Sequence, residues 1–228
     1  MNSSHFIYEN RNFTKTLIFF PGWGFNASIF YPIDLHYNYL FIKDPLVPDI
    51  KHIIANYVNE KKIEQISLFG WSMGCYPALG CADAFLQKIE TIFLISARCQ
   101  FPTSELTNAR NNLKRNAHAY LYSFYKECFY PQQKAFKWFK KTLLPVYRHE
   151  ISTAYLLEGL DYLAGASLLT DHLNNKMIHF IHGKEDRIAD VNEIERFCST
   201  LPQARLSVLN KCGHIPFFQS EFYDQFTL

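Results

Sequence analysis

Ser72, Asp186 and His214 are the residues of this chain whose types and order can do covalent chemistry. A serine becomes a nucleophile only when a base takes its proton, and the base must itself be oriented by a third group. Ser72 stands in Gly70-Trp71-Ser72-Met73-Gly74, between the apolar run Ile66 to Phe69 and a stretch of small residues. That pattern predicts a strand, a sharp turn and a helix with the serine at the corner. Gly70 and Gly74 fall where a Cβ would collide with a neighbouring strand or helix, and the serine itself is expected to be strained. On the pentapeptide alone, Ser72 would serve equally well as a helix cap.

The base and the acid are read from the other end of the chain. His214 follows Asn210-Lys211-Cys212-Gly213, and Asp186 lies in His182-Gly183-Lys184-Glu185-Asp186-Arg187, each after a predicted strand. In that order, His214 takes the Ser72 proton and returns it to the leaving group, while Asp186 fixes the imidazole tautomer. Glu185 and Asp190 are rival acids, and a lone Gly-His before a terminal helix is often only a cap or core histidine. The loop Pro21-Gly22-Trp23-Gly24 empties from another strand, and the backbone N–H groups of Trp23 and Met73 are the expected oxyanion donors.

These residues require a scaffold that brings strand ends to one edge. Thr16 to Phe20, Tyr39 to Ile42, Ile66 to Phe69, Thr91 to Ile95, Met177 to Ile181 and Leu206 to Leu209 read as buried strands, and Phe6 to Tyr8 as a short edge strand. Alternation with helices predicts right-handed crossovers and a mostly parallel sheet flanked by helices, with Ser72 near its middle. Asp49 is expected to cap a helix with the stripe Ile50, Ile53, Ile54, Tyr57 and Val58. Ala27 to Leu35 allows a short helix limited by Pro32. After Ser72, Gly74, Ala78 and Gly80 should keep the helix surface low against the sheet.

The 228 residues, 48% hydrophobic and 17% aromatic, suit one domain with an insertion. Residues 1–97 and 173–228 are read as the core and 98–172 as a helical lid. Between 98 and 148 lie ten Lys or Arg against Glu105 and Glu127 alone, although the whole chain carries only +2, together with eleven aromatic residues. The cations Arg110, Lys114, Arg115, Lys134, Lys137, Lys140, Lys141 and Arg148 either form the lid's solvated face or attract an acidic partner. The charge balance gives no reason to expect nucleic acid. No run is long and apolar enough for a membrane span, and MNSSHFIYEN has no features of a secretory leader, so a cytoplasmic address is expected. Six scattered cysteines and nine dispersed histidines lack metal-ligand spacing; the cysteines are read as reduced, mostly buried thiols. His179 and His182, three apart on a strand, should face opposite sides.

With these residues in place, the sequence resembles the α/β-hydrolase superfamily. PGWGFN, GWSMG, GKEDRI and CGHIPFF together are similar to the pimeloyl-[acyl-carrier protein] methyl ester esterases. The likeness runs in patches from about residue 17 to 97 and 156 to 220 and is weak in the lid. It implies a cofactor-free serine esterase of biotin synthesis that removes the methyl group from a pimeloyl chain carried on acyl carrier protein, an acidic partner with a phosphate-bearing arm. Pro21 stands where that family commonly has histidine, and Asp44 to Pro48 replaces a glycine-rich loop. A thioesterase or broad short-chain esterase would use the same triad. A hydrolase-like binding protein without turnover is the alternative of another class, and loss of a triad member, its usual mark, is not seen.

Overall fold

A computed structural model describes residues 5–170, 173 and 176–226. Seven strands form one sheet in the order β1-β3-β2-β4-β5-β6-β7. They are β1 (Phe6–Glu9), β2 (Lys15–Phe20), β3 (Asn38–Ile42), β4 (Gln65–Trp71), β5 (Ile89–Ile95), β6 (Met177–Gly183) and β7 (Ala204–Leu209). Only β1 runs antiparallel, pairing Phe6 with Ile42 at the edge. The others are parallel, so β4 lies at the centre of the sheet and the loops after β2, β4, β6 and β7 emerge on one side. The continuous apolar strands are explained by cover on both faces: Leu17 to Phe20, Ile66, Leu68, Phe69 and Ile92 are buried.

Helices α1 (Ile50–Glu60), α2 (Cys75–Ala82) and α7 (Val191–Cys198) are the crossovers of the core, and α8 (Ser220–Tyr223) with the 3-10 turn Asp224–Phe226 ends the described chain. The segment before Pro32 forms only a 3-10 turn, Ala27–Phe30, with Asn26 capping it. Two local expectations are corrected. Asp49 does precede α1, but in a left-handed conformation (φ 60°) with no side-chain cap hydrogen bond. Gly80 is exposed and a Cβ there would meet nothing within 4 Å, so Gly74, not Gly80, sets how closely α2 lies on the sheet. The last strand also begins earlier than its apolar pattern, at Ala204, because Arg205 pairs in register with His179.

Between β5 and β6 the chain builds four helices: α3 (Thr103–Cys128), α4 (Gln133–Thr142), α5 (Leu144–Glu150) and α6 (Thr153–Gly165). The end expected at residue 172 lies outside the described residues. α3 is broken at Asn116 (φ −161°, ψ 91°), whose side chain accepts from the Ala119 N–H at 3.0 Å and so restarts the helix as an N-cap. Within the insertion, Tyr125, Phe129, Phe139 and Tyr147 pack as a buried aromatic cluster, with Tyr125 and Phe139 centroids 4.9 Å apart. Among the described residues no helix is long and apolar enough to cross a membrane. The six cysteines are free, and four of them (Cys75, Cys81, Cys128 and Cys212) are buried.

His179 and His182 face opposite sides of β6. His179 stacks near Phe93 and donates from Nε2 to Ser207 Oγ at 2.9 Å, because the Ser207 hydroxyl proton is committed to Gln225 Oε1 at 2.6 Å. Burial, aided by Arg205, lowers the His179 pKa to about 4. An unfolded histidine titrates near 6.5, so the unfolded chain takes up the proton first and stability falls as pH drops from about 6.5 towards about 4. His179→Gln, which keeps a donor but cannot titrate, should remove on the order of 3 kcal/mol of that acid loss, read from urea midpoints at pH 7 and pH 4.5.

Candidate active site

The serine corner follows from packing. β4 passes through Trp71 into a single 3-10 turn, Ser72–Gly74, and then α2, and Ser72 adopts φ 54°. A non-glycine residue in that region costs roughly 1–3 kcal/mol and persists only where its surroundings over-determine it. Here they do so by close approach. A Cβ at Gly70 would lie 2.6 Å from Cys75 Cα, and one at Gly74 would lie 2.1 Å from the Phe20 carbonyl oxygen. Only hydrogen fits at either place.

The Pro21-Gly22-Trp23-Gly24 loop reaches the same corner. A Cβ on Gly22 would stand 3.1 Å from Ser72 Cβ, and the loop is turned by the Phe25 N–H donating to the Gly22 carbonyl at 3.2 Å. The Trp23 indole points under the helical insertion, donating to the Leu156 carbonyl at 2.9 Å and meeting Phe124 edge-on. Met73 is buried at the start of the turn that follows Ser72.

Asp186 and His214 are brought together by adjacent strands. β6 and β7 pair from Ile178↔Ala204 to Gly183↔Leu209, and beyond them Lys184 N–H donates to the Leu209 carbonyl and Glu185 N–H to that of Cys212. Asp186 Oδ2 lies 2.8 Å from His214 Nδ1, and Oδ1 accepts from the Ile188 and Ala189 N–H groups at 2.8 and 3.0 Å. Burial alone would raise this carboxyl's pKa, but the charge and hydrogen bonds of His214 and His182 hold it well below the usual carboxylate range. The rival acids go elsewhere: Asp190 caps α7 through the Asn192 N–H, and Glu185 meets the histidine loop through its backbone amide.

His214 is tied to the serine corner from behind, since the Trp71 indole donates to the His214 carbonyl at 2.8 Å. Its Nε2 is buried without a hydrogen-bond partner, so the structure does not close the Ser72–His214 contact. Apo sites often tighten this bond only when substrate is bound. From the insertion, Gln132 donates to the Ile215 carbonyl at 2.9 Å, so the turn between α3 and α4 backs the histidine loop. Nearby thiols are poor rivals to the serine. Burial pushes Cys212 up to about 12, and Cys75 is raised further still, so both are neutral at physiological pH.

Ser72 opens into a cleft of about 150 Å3 lined by Trp23, Phe101, Leu106, Tyr120, Phe124 and Leu163 among others. Its charged members are Glu105, held by Arg98, and Arg187, which pairs with Glu127 at 3.2 Å and stacks over Tyr130. The sequence-level aromatics thus divide into those facing the cleft and those forming the core of the insertion. Of the eight lid cations, Lys114, Arg115, Lys134, Lys137, Lys140, Lys141 and Arg148 are exposed. Arg110 departs from the expectation of a free cation by pairing with Asp161 on α6. His182 is not among the site residues the sequence points to, although it is buried against Asp186 and lies 2.9 Å from the Ala189 carbonyl. The available signal was a polar side chain inside an otherwise apolar, doubly covered strand.

Known proteins bear on the chain as follows. No protein-family model matches it. It is 28% identical over 176 residues, 70% of this chain and 68% of the relative, to a pimeloyl-[acyl-carrier protein] methyl ester esterase of Nitrosomonas europaea. In structure it is similar to an esterase from Exiguobacterium antarcticum (TM-score 0.75, 17% identity, covering 96% of this chain and 91% of the other). It is also similar to a bromoperoxidase from Bacillus anthracis (TM-score 0.80, 11% identity, 96% and 92% covered).

The packing of the corner makes a paired prediction. Gly74→Ala should lower the melting temperature steeply or abolish soluble expression, because the displaced atoms are backbone. Gly80→Ala, on the open side of the same helix, should instead stabilise by about 0.5–1 kcal/mol, measured by thermal or urea unfolding. The seven-stranded sheet, the loops gathered at its strand ends and these likenesses together show an α/β-hydrolase fold.

Proposed function

We propose that the chain is a serine carboxylesterase with Ser72 as nucleophile, His214 as general base and acid, and Asp186 as the group that orients His214. The observation that carries this reading is the buried Asp186–His214 pair at 2.8 Å, its Nε2 unpartnered and its backbone held by Trp71 of a strained serine corner that opens into an apolar cleft. In the reaction, Ser72 Oγ attacks the ester carbonyl carbon as Nε2 takes the hydroxyl proton. The tetrahedral oxyanion is held by the Trp23 and Met73 N–H groups. Collapse breaks the bond to the alcohol, which leaves with the proton from His214. Water, deprotonated by the same nitrogen, then releases the acid and restores Ser72. Asp186 stays ionised throughout, stabilising the imidazolium.

For the substrate, we propose the methyl ester of a pimeloyl chain carried on acyl carrier protein, with residues 98–172 as the lid. The relative's name supports this reading, as do two features of the insertion. Its inner side is apolar and suits a linear acyl chain. Its outer side carries seven exposed cations, and α4 has no acidic residue to offset Lys134, Lys137, Lys140 and Lys141. Such a surface steers an acidic carrier and fixes its orientation.

Ser72→Ala and His214→Ala should each lower kcat by about four orders of magnitude or more, with binding little changed, in a spectrophotometric ester assay. Substrate identity is tested by comparing the pimeloyl-carrier methyl ester with the matching free methyl ester. The carrier-bound form should give the higher kcat/KM, and that advantage should shrink as salt rises and in Lys134→Glu/Lys137→Glu/Lys141→Glu. Equal efficiency on the two esters at low salt would refute carrier recognition while leaving the esterase in place.

A further inference from the structure

We infer that His182 is a positioning residue for Asp186, locking the acid loop to β6 so that Oδ2 stays on His214, an assignment that rests on the serine esterase reading of the site. His182 occupies the last position but one of β6, and its side chain is buried. Its Nε2 lies 2.9 Å from the Ala189 carbonyl oxygen and 3.3 Å from Asp186 Oδ2. A carbonyl and a carboxylate only accept, so this nitrogen carries a hydrogen and donates to both.

The consequence is a closed ring. Asp186 Oδ1 accepts from the Ala189 N–H at 3.0 Å, and His182 holds the carbonyl of that same residue. Together with the Ile188 N–H and His214, His182 brings the carboxylate to four donors on its two oxygens. Without His182, Oδ1 would still be held by amides of its own turn. That turn, however, would lose its side-chain tie to the sheet, and Oδ2 would keep His214 alone. Other ionisable groups near the ring are Asp190, close enough to feel His182, and the thiols of Cys128 and Cys212, which feel the Asp186 charge and are held neutral by burial.

A weaker Asp186–His214 bond destabilises the imidazolium formed in the transition state. His182→Phe, which keeps ring volume but has no donor, should lower kcat about ten- to a hundredfold at unchanged KM. His182→Gln retains an N–H donor and should restore kcat to within about threefold. If His182→Phe does not fold, His182→Asn takes its place, its amide being too short to reach either oxygen from β6.

A role confined to packing would reduce the active fraction and leave the His214 Nδ1–H resonance of the folded protein in place. A wild-type kcat in the donorless variant, or a His182→Gln as damaged as His182→Phe, would overturn the inference. The low-field proton resonance of His214 Nδ1–H gives a readout that needs no substrate. It should broaden or shift upfield in His182→Phe and persist in His182→Gln. If the wild type hydrolyses no ester, the esterase reading falls, and this resonance still decides whether His182 holds the pair.

Discussion

Burying the Asp186 carboxylate is the most demanding step in building this site. An ionised carboxyl removed from water is tolerated only when charge and hydrogen bonds replace its solvation. Four donors do so here, two from its own turn, one from His214 on the neighbouring loop and one from His182 on the preceding strand. The first two come with the local chain. The other two require β6 and β7 to be parallel neighbours in the register that sets Gly183 against Leu209, because that register puts the two loops side by side. The sheet order is therefore a condition for ionising Asp186, and the ionised Asp186 in turn holds the two loops to each other.

The serine is placed by a different kind of force. Close packing holds Ser72 in its left-handed conformation, with β2 and α2 approaching so closely at Gly74 and Gly70 that only hydrogen fits there. The large aromatic core makes that approach stiff. Phe19, Phe30, Phe69 and Trp71 pack ring against ring beneath the corner, and the Trp71 indole extends from this stack to hold the His214 backbone. Ser72 and the His214 loop are thus carried on one rigid block, with the Asp186 loop docked against it. Preorganisation of this sort lowers the reorganisation demanded at the moment of reaction.

What the sequence discloses and what it hides divide along the range of the interactions. Strand, corner and helix around Ser72, the loop at Trp23, and the loops bearing Asp186 and His214 are written in local patterns: apolar runs, glycines and breakers within about ten residues of each other. Parallel pairing follows from the alternation of those runs with helices. The features that escape are made by pieces distant in sequence meeting in space. Arg110 is neutralised by Asp161 because α3 and α6 lie side by side, and nothing near either residue announces it. The break in α3 at Asn116 has neither proline nor glycine to signal it. Asp49 looks like a cap by type and place, yet its backbone turns left-handed and its side chain leaves the amides. His182 immediately precedes the recognisable GKEDRI stretch, but its acceptor at Ala189 exists only once the following loop has folded back.

The insertion keeps its two duties on separate surfaces. In α4, Phe139 is buried and Phe136 half-buried, three residues apart on the inner side, while Lys134, Lys137 and Lys141 follow the i, i+3, i+7 spacing on the exposed side. Helical periodicity thus separates the groups that meet the apolar interior from those that meet solvent. The cleft wall itself comes mainly from α3 and α6, through Leu106, Phe124, Leu160 and Leu163. The α3–α4 turn is held by Gln132 against the histidine loop and is continuous with the rigid block. Access to Ser72 is therefore set by the helices that carry the cleft wall, whereas the exposed charge of α4 lies apart from it. On the proposed reading the two can vary independently: charge on α4 would act on encounter with an acidic carrier, and the cleft wall on which acyl chain reaches the serine.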